Sequence, residues 1–343
     1  MRPPRPTLAD VAKRAGVSTM TVSRVVNHDQ RVSRATRTAV EAAIAALQYV
    51  PNVAARTLAR GEIQRVCLLY GNPSAAYLGT LLLGALEATS KARVNLIVQQ
   101  ISDPVDKTSL AERFRQDWDA LLIPPPMSDD PIIQETVLQN EIPATFISTG
   151  APPRSRVSVG IDDKAAARDM TQHLIELGHS QIGFIRGNPD QTVTDLRYRG
   201  YRDALSSAGL EETPGWIARG LFTYQSGLEA GMAMLSLPAK PTAIFASNDD
   251  MASGVIAAAA RLGLTVPTDL SVAGFDDLPI ASTLWPALTT IQQPISEITA
   301  RAVAALTAPS PRDSESSAEV SDSRHQIVPH HLIKRGSTAP PTK

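Results

Sequence analysis

The stretch GVSTMTVSRVVN, residues 16–27, combines hydroxyl groups, a methionine and an arginine with few large apolar side chains. On a helix that begins at Ser18, the side chains of Val22, Val25 and Val26 share one side, which leaves the opposite side polar. Hydroxyl and guanidinium groups on such a face can bond base edges and phosphates in a DNA major groove. A solvent-exposed bundle helix is the alternative. The residues expected to face outward are Thr19, Met20, Ser23 and Arg24.

Amide and acidic side chains also follow two short apolar runs, in AIFASND (243–249) and SVAGFDD (271–277). Open parallel sheets bind ligands beyond the carboxyl ends of their strands, so Asn248 and Asp276 are candidate ligand-binding residues. The alternative is that they only form turns. The adjacent acids do not predict catalysis, because neighbouring side chains need not face one substrate. Without a G-x-G-x-x-G, P-loop or G-x-S-x-G motif, we expect a protein that is not an enzyme.

Charge is divided unevenly along the chain. Residues 1–60 hold ten Lys and Arg against three acids, a net charge of +7, whereas the whole chain has a net charge of −1. A basic head on an acidic body indicates an anionic partner for the head, with a solvated basic arm as the alternative. The single cysteine, Cys67, allows no internal disulfide, and no Cys/His cluster has metal-ligand spacing. We therefore expect a cytoplasmic protein with no metal, no cofactor and no membrane partner, since no signal peptide or membrane span is evident.

Capping residues predict three short helices in the head. Thr7, Ser18 and Ser33 each precede a run with helical apolar spacing, and Gly16 suits the turn between the first two helices. This is the helix-turn-helix arrangement. Asn52 could cap a further short helix in PNVAARTLARG. Its Leu58 suits either a minor-groove wedge or a plain linker.

The body alternates short apolar runs with helical stretches, which predicts parallel sheets in α/β layers. The pattern restarts after residue 160, so two similar halves are expected. The residues 308–325, APSPRDSESSAEVSDSRH, are rich in Ser, Pro and acids and favour a loosely held loop, with a docking segment as the alternative.

The chain closely resembles the lactose-repressor/galactose-repressor (LacI) family of transcription regulators. The resemblance rests on TLADVAKRAGVSTMTVSRVVN, TRTAVEAAIAALQYVPNVAARTLARG, HLIELGHSQIGFI, RYRGYRDAL, PTAIFASNDDMASGV, LGLTVPTDLSVAGFDD, PALTTIQQP and LIKRGST, which together span nearly the whole sequence.

The resemblance implies an α/β fold class with an N-terminal three-helix helix-turn-helix head plus hinge helix. These join a two-subdomain, doubly wound effector domain that is like periplasmic binding proteins. The implied boundaries are 1–50 for the head, 51–61 for the hinge and 62–340 for the effector domain. Within the effector domain, the N-subdomain would comprise about 63–161 and 293–320, and the C-subdomain about 162–291 and 321–336.

By matching positions, Thr19, Met20 and Arg24 would read bases, and Asn27 would fix the turn after the recognition helix. Ala55 and Leu58 would enter the minor groove, which now favours the wedge interpretation of Leu58. The helix-capping Ser18 and Asn52 belong to the same expected DNA-binding set. Backbone contacts would come from Thr7, Thr21, Ser23, Ser33, Thr36 and Tyr49.

The effector would lie in the cleft between the subdomains. Neighbouring sugar hydroxyls need paired donors and acceptors, and an aromatic face can pack against their C–H groups. Phe222 matches such an aromatic wall, with ordinary core as its alternative, and Trp285 could stack on a sugar or, as we favour, fill a crossover. The expected effector-binding residues are Ser74, Tyr77, Asp195, Arg197, Phe222, Asn248, Asp276 and Gln293.

The implied function is repression of carbohydrate genes by a homodimer on a pseudo-palindromic operator, with DNA affinity set by a sugar-like effector. The missing leucine heptads after residue 336 favour a dimer over a tetramer. Two alternatives stay open: a sugar-binding protein without a regulatory role, and a non-sugar effector.

Overall fold

The structure, a computed structural model, describes residues 7–26, 32–47, 63–71, 74–101, 107–153, 155–308 and 324–342. Contacts divide the chain into two units, Met1–Glu62 and Ile63–Lys343. They are called here the head and the body.

In the head, the described residues form α1 (Leu8–Ala15), α2 (Thr19–Val26) and α3 (Arg34–Leu47). Gly16 ends α1 with a φ of 66°, which glycine adopts at no steric cost and which allows the sharp turn into α2. One small apolar cluster joins the three helices, made of Val11, Ala12, Val22, Val25, Val40 and Ala43.

The body contains two six-stranded sheets. The first sheet has the order β11-β5-β4-β3-β1-β2 and is parallel at every pairing. Its strands are β1 (Arg65–Tyr70), β2 (Asn95–Gln100), β3 (Ala120–Ile123), β4 (Ala144–Ile147), β5 (Val157–Gly160) and β11 (His325–Ile327). Its helices are α4 (Ala75–Ala92), α5 (Lys107–Asp117), α6 (Pro131–Gln139) and α12 (Ile295–Thr307).

The second sheet has the order β12-β10-β9-β8-β6-β7, and only the β10–β12 pairing is antiparallel. Its strands are β6 (Ile182–Arg186), β7 (Ile217–Arg219), β8 (Ala243–Ala246), β9 (Ser271–Asp276), β10 (Thr289–Gln292) and β12 (His331–Ile333). The helices that accompany it are α7 (Asp163–Glu176), α8 (Thr192–Ser207), α9 (Tyr224–Leu235), α10 (Asp249–Arg261) and α11 (Pro279–Thr283). The predicted two-sheet α/β architecture is confirmed.

Central strands of both sheets are buried along their whole length. Every residue of β3, β4, β8 and β9 is buried. Strands that are covered on both faces have nearly continuous apolar sequences, and this pattern is what predicted these strands from the sequence.

The chain crosses three times between the first half, built on the first sheet, and the second half, built on the second sheet. After β10 it returns to the first half, where α12 packs on α4, and the strand β11 then adds to the edge of the first sheet. Residues 321–336 were expected in the second half. Instead, His325–Ile327 pairs with β5, and only the following His331–Ile333 joins β10, so the last crossing lies between these two strands.

In the described part of the chain, no helix is both long and apolar enough to span a membrane.

Candidate functional site

Of the four residues of α2 expected to face outward, three are exposed and the fourth, Ser23, is half-buried. Val22 and Val25 are buried against the head cluster, whereas Thr19, Met20 and Arg24 are exposed, Met20 by 65 %. A large apolar side chain this exposed beside an arginine suits contact with base edges and thymine methyl groups. The arrangement can therefore bind a DNA groove.

Each helix of the head begins at a capping hydroxyl. The Oγ of Ser18 accepts the Thr21 amide at 3.1 Å, and the Oγ of Ser33 accepts the Thr36 amide at 3.2 Å. Thr7 forms a reciprocal capping box with Asp10. Thr7 and Ser33, two of the residues predicted to contact the DNA backbone, thus lie at helix N-termini, where the helix dipole favours anions.

Five of the expected DNA-binding residues lie outside the described residues, together with the hinge segment 51–61. Their roles stay predictions. They are Asn27, Tyr49, Asn52, Ala55 and Leu58.

A cleft in the body lies between the carboxyl ends of the two sheets. Its walls enclose about 380 Å³ of space that no atom fills, open mouth and solvent included. All of the expected effector-binding residues except Asp195 line it. The lining residues are Ser74, Tyr77, Pro125, Ser148, Gln191, Val193, Arg197, Phe222, Asn248, Asp276 and Gln293.

Arg197, from α8, supplies the buried cation of the cleft. Its Nε donates to Asp163 Oδ1 at 2.8 Å, and its Nη1 donates to the Ser247 carbonyl at 2.6 Å and lies 3.9 Å from Asp276 Oδ1. The guanidinium also stacks on Phe275, 3.7 Å from the ring centroid. Burial raises the pKa of Asp163 despite the opposing effect of Arg197. These contacts fix the arginine in one orientation at the back of the cleft.

Asp276 ends β9 and presents its carboxylate to the cleft. Its Oδ1 accepts the side-chain amide of Gln293 at 2.6 Å. Burial raises the pKa of Asp276 to about 7, against the opposing effect of Arg197. The neighbouring Asp249 is fully buried, where it accepts Thr290 Oγ1 at 2.6 Å and the Leu278 amide at 2.7 Å, and burial raises its pKa well above the usual value.

Asn248 and Phe222 build a wall of the cleft and also serve the fold. The Asn248 Oδ1 caps α10 by accepting the Met251 amide at 3.0 Å, and its Nδ2 donates to the Phe222 carbonyl at 3.1 Å. The turn-forming and ligand-lining interpretations of Asn248 are therefore compatible. Phe222 likewise belongs to a buried apolar cluster while lining the cleft.

Two cleft amides each have a buried polar atom without a hydrogen-bond partner in the described structure. These atoms are Gln191 Nε2 and Gln293 Oε1, and both residues are 4 % exposed. An unsatisfied buried polar atom is unfavourable, so a ligand that bonds it recovers the loss. Gln191 was not predicted from the sequence, although it follows the carboxyl end of β6, and a place after a strand end is the signal by which Asn248 was predicted.

Hydrogen bonds join the two halves on either side of the cleft. The Oγ of Ser74 donates to Asp250 Oδ2 at 2.6 Å. Asp129 Oδ2 accepts the Thr192 amide at 2.9 Å, and the Thr192 hydroxyl accepts the Gly150 amide at 2.8 Å. A ligand in the cleft therefore lies beside the bonds that set how the halves meet.

Ser148, Pro125 and Val193 also line the cleft without having been predicted. Ser148 accepts the Tyr77 hydroxyl at 3.5 Å, and burial raises the pKa of that tyrosine. Tyr77 therefore stays neutral and can offer a hydroxyl group to a ligand.

Asp195 and Trp285 do not lie at the places expected from the sequence. The Asp195 carboxylate is exposed and pairs with Arg186 instead of lining the cleft. Trp285 is 94 % exposed, so it neither stacks in the cleft nor fills a crossover. A search of the described residues finds no cluster of three or more His, Cys, Asp and Glu that could hold a metal ion.

Two family models match the chain. The model for bacterial regulatory proteins of the lacI family matches residues 7–52, and the model for periplasmic binding protein-like domains matches residues 171–338. Both matches fall on the units that carry the sites above.

Curated relatives match over most of the sequence. The HTH-type transcriptional repressor CytR of Escherichia coli (strain K12) is 35 % identical over 298 residues, which cover 85 % of this chain and 86 % of that protein. The ribose operon repressor of the same strain is 34 % identical over 295 residues, 85 % of this chain and 89 % of the relative.

Solved structures match in the same way. A lac repressor dimer bound to operator and the anti-inducer ONPF has a TM-score of 0.78 at 28 % identity, covering 98 % of this chain and 100 % of that chain. The complex of the transcriptional regulator CelR with cellobiose has a TM-score of 0.72 at 29 % identity, covering 97 % and 100 %.

Proposed function

Because the chain belongs to the lacI family of bacterial regulatory proteins, we propose that it represses carbohydrate-utilisation genes under the control of a sugar-like effector. One observation supports the proposal above all: the same chain has an exposed polar helix on a basic head and a cleft in the body that can bind a ligand.

The head reads DNA through α2. Thr19, Met20 and Arg24 are exposed on that helix and reach base edges. The DNA backbone is held by Thr7, Thr21, Ser23, Ser33, Thr36 and Tyr49. The charge of +7 over residues 1–60 adds sequence-independent attraction.

The cleft suits an uncharged ligand that is rich in hydroxyl groups. A hydroxyl can accept from Gln191 Nε2 and donate to Gln293 Oε1, which are the two unsatisfied atoms. The charge of Arg197 is already engaged by Asp163 and Asp276, which disfavours an anionic ligand. Phe222 supplies an aromatic wall against which the C–H groups of a sugar can pack, and a non-sugar metabolite is the alternative effector.

Effector and operator are coupled through linkage: a ligand that binds one arrangement of the two halves more tightly shifts the protein toward that arrangement. The bonds of Ser74 with Asp250 and of Asp129 with Thr192 are the contacts that such a shift would change.

The protein acts as a homodimer, and its operator is pseudo-palindromic. Trp285 is the most exposed large apolar side chain of the described residues. We assign it to the dimer interface, where a second copy of the chain would cover it. Leu83 and Leu86 on α4 and Val98 on the edge strand β2 are also exposed. Trp285→Asp should therefore raise the dimer dissociation constant, measured by analytical ultracentrifugation.

The relatives are transcription regulators and not enzymes. We extend this to the present chain: it has no catalytic activity and works in the cytoplasm, at the nucleoid. Incubation of the purified protein with each sugar that binds should return that sugar unchanged.

The proposal is tested by fluorescence anisotropy on DNA fragments from around the gene of this protein, at fixed salt, with a panel of sugars. One fragment should bind more tightly than the rest, and one sugar should change that affinity. An increase identifies a corepressor and a decrease an inducer. Specific binding that no sugar changes would contradict the sugar effector, and equal binding to every fragment would contradict sequence-specific regulation.

Matched variants connect the response to the cleft. Gln191→Leu removes an unsatisfied amide, so it should abolish the sugar response without lowering the melting temperature. The control is Gln134→Leu, which removes an amide that donates to the Ser128 carbonyl at 2.7 Å outside the cleft. It should lower the melting temperature and keep the sugar response.

A further inference from the structure

The turn that presents Asp276 has a strained backbone. Asp276 and the next residue, Asp277, have φ values of 111° and 57°. Residues with a Cβ rarely adopt positive φ, and two in succession persist only where the surroundings hold them. Something outside the turn must therefore stabilise it.

Asp277 is bound from two other segments of the chain. Its Oδ1 lies 2.7 Å from Arg335 Nη2, and its Oδ2 accepts Gln292 Nε2 at 2.9 Å. The Asp277 side chain is 11 % exposed and that of Arg335 is 21 % exposed, so the ion pair is largely shielded from water.

Arg335 is itself fixed to the second sheet. Its Nη1 donates to the Leu288 carbonyl at 2.9 Å, and its backbone amide donates to Thr289 Oγ1 at 2.9 Å. The guanidinium thus reaches Asp277 from a rigid base while lying outside the lining of the cleft.

We propose that Arg335 is a positioning residue of the effector site, which holds Asp277 and thereby aims the Asp276 carboxylate into the cleft. The inference rests on the proposed function only in taking the cleft as the effector site.

Arg335 is not needed to dock the segment that follows it. Ser337 Oγ donates to the Val272 carbonyl at 2.6 Å and accepts the Thr289 amide at 2.8 Å. The Ala339 amide donates to Ser271 Oγ at 3.0 Å. Loss of the Arg335 side chain should therefore disturb the turn and leave residues 337–339 in place.

Hydrogen exchange of the full chain separates these two roles without a ligand. The Leu278 and Gln293 amides donate to Asp249 Oδ2 and to the Asp276 carbonyl, so they report the turn. The Val272 amide donates to the Ser337 carbonyl and reports the docked segment. In Arg335→Met, exchange at Leu278 and Gln293 should accelerate about tenfold while Val272 stays as in the unmodified protein.

Arg65→Met is the matched control, because Arg65 pairs with Asp119 at 2.9 Å and bonds the Gln116 carbonyl at 3.2 Å in the first half. It should leave all three amides unchanged. Arg335→Lys keeps the charge and should give an intermediate acceleration. Unchanged exchange at the turn in Arg335→Met, or equal acceleration at Val272, would overturn the inference.

The effector readout uses D-ribose and cellobiose in calorimetric titrations. For a sugar that binds the unmodified protein, Arg335→Met should raise Kd about tenfold and Arg65→Met should not. A raised Kd of the same size in both variants would also overturn the inference. If the unmodified protein binds neither sugar, the failure concerns the choice of effector, and the exchange result decides the role of Arg335.

Discussion

The head and the cleft use polar residues in opposite ways. In the described head, the buried side chains are all apolar, and the capping bonds of Ser18 and Ser33 span three residues each. At the back of the cleft, Arg197 and Asp276 are buried together with Asp163, although the three residues lie far apart in sequence.

This difference separates two kinds of binding site. The head exposes a polar surface on a locally determined helix, so its surface residues can change without loss of the core. The cleft holds charges that come together only when two helices and a strand of the second half pack against one another, so these charged residues are also structural. Substitutions of the outward-facing residues of α2 should therefore affect binding alone, whereas substitutions of the buried charges at the cleft should affect both binding and stability.

The largest effect is expected for Arg197→Met. It leaves Asp163 and Asp276 buried without their cation, which should lower the free energy of unfolding by about 3–5 kcal/mol in urea titrations. The control Arg301→Met removes an exposed helical pair with Glu297 and should cost about 0.3–0.5 kcal/mol. Equal costs for the two variants would show that the cleft charges are not coupled to the fold.

A pH series on Asp276→Asn examines the same coupling. The pKa of Asp276 is about 7 in the folded protein and near the usual aspartate value when unfolded, so its stabilising contribution is complete below about pH 4 and is lost as the pH rises to about 7. The stability of the variant relative to the unmodified protein should rise across that window, by at most about 1.4 kcal/mol per pH unit.

Burial lowers the pKa of His173 and His179, so their contribution to the free energy of unfolding rises with pH, opposite to that of Asp276. This contribution is the same in the Asp276→Asn variant and in the unmodified protein. The difference between the two curves cancels that effect. A difference independent of pH between 4 and 8 would contradict a buried carboxylate at this position.

Arg24→Ala should affect DNA binding alone. Loss of a base-contacting arginine should cost about 1–3 kcal/mol of specific binding free energy and relax the base preference, with the melting temperature unchanged. Arg261→Ala, on the surface of the body, serves as the control in the same anisotropy assay. An Arg24→Ala protein with unchanged affinity and preference would remove α2 from the recognition role.

The smallest effect is expected for Ser18→Ala, which removes one local cap. It should destabilise the head by about 1 kcal/mol, measured by hydrogen exchange of the α2 amides. Ser18→Thr keeps an oxygen acceptor and should restore most of the protection. A loss of protection that spreads to the body would contradict a local role of the Ser18 cap.

The sequence by itself determined the local elements. Caps, the turn glycine and apolar spacing located the three head helices, and continuous apolar runs located the central strands such as β3 and β8. It also placed Asn248 and Asp276 at strand ends, because a strand and its carboxyl end are defined by neighbouring residues.

Only the tertiary structure decided what distant segments do together. The strands β11 and β12 have three residues each, too short for a periodic signal, so pairing alone assigned them to different sheets. In the folded chain, Gln191 Nε2 and Gln293 Oε1 are buried without a hydrogen-bond partner among the described residues. Asp195 pairs with Arg186 outside the cleft lining, and Trp285 lies on the surface. Composition and spacing report what a residue can bond, but the free energy of each bond depends on the partners and the water that the folded chain leaves around it.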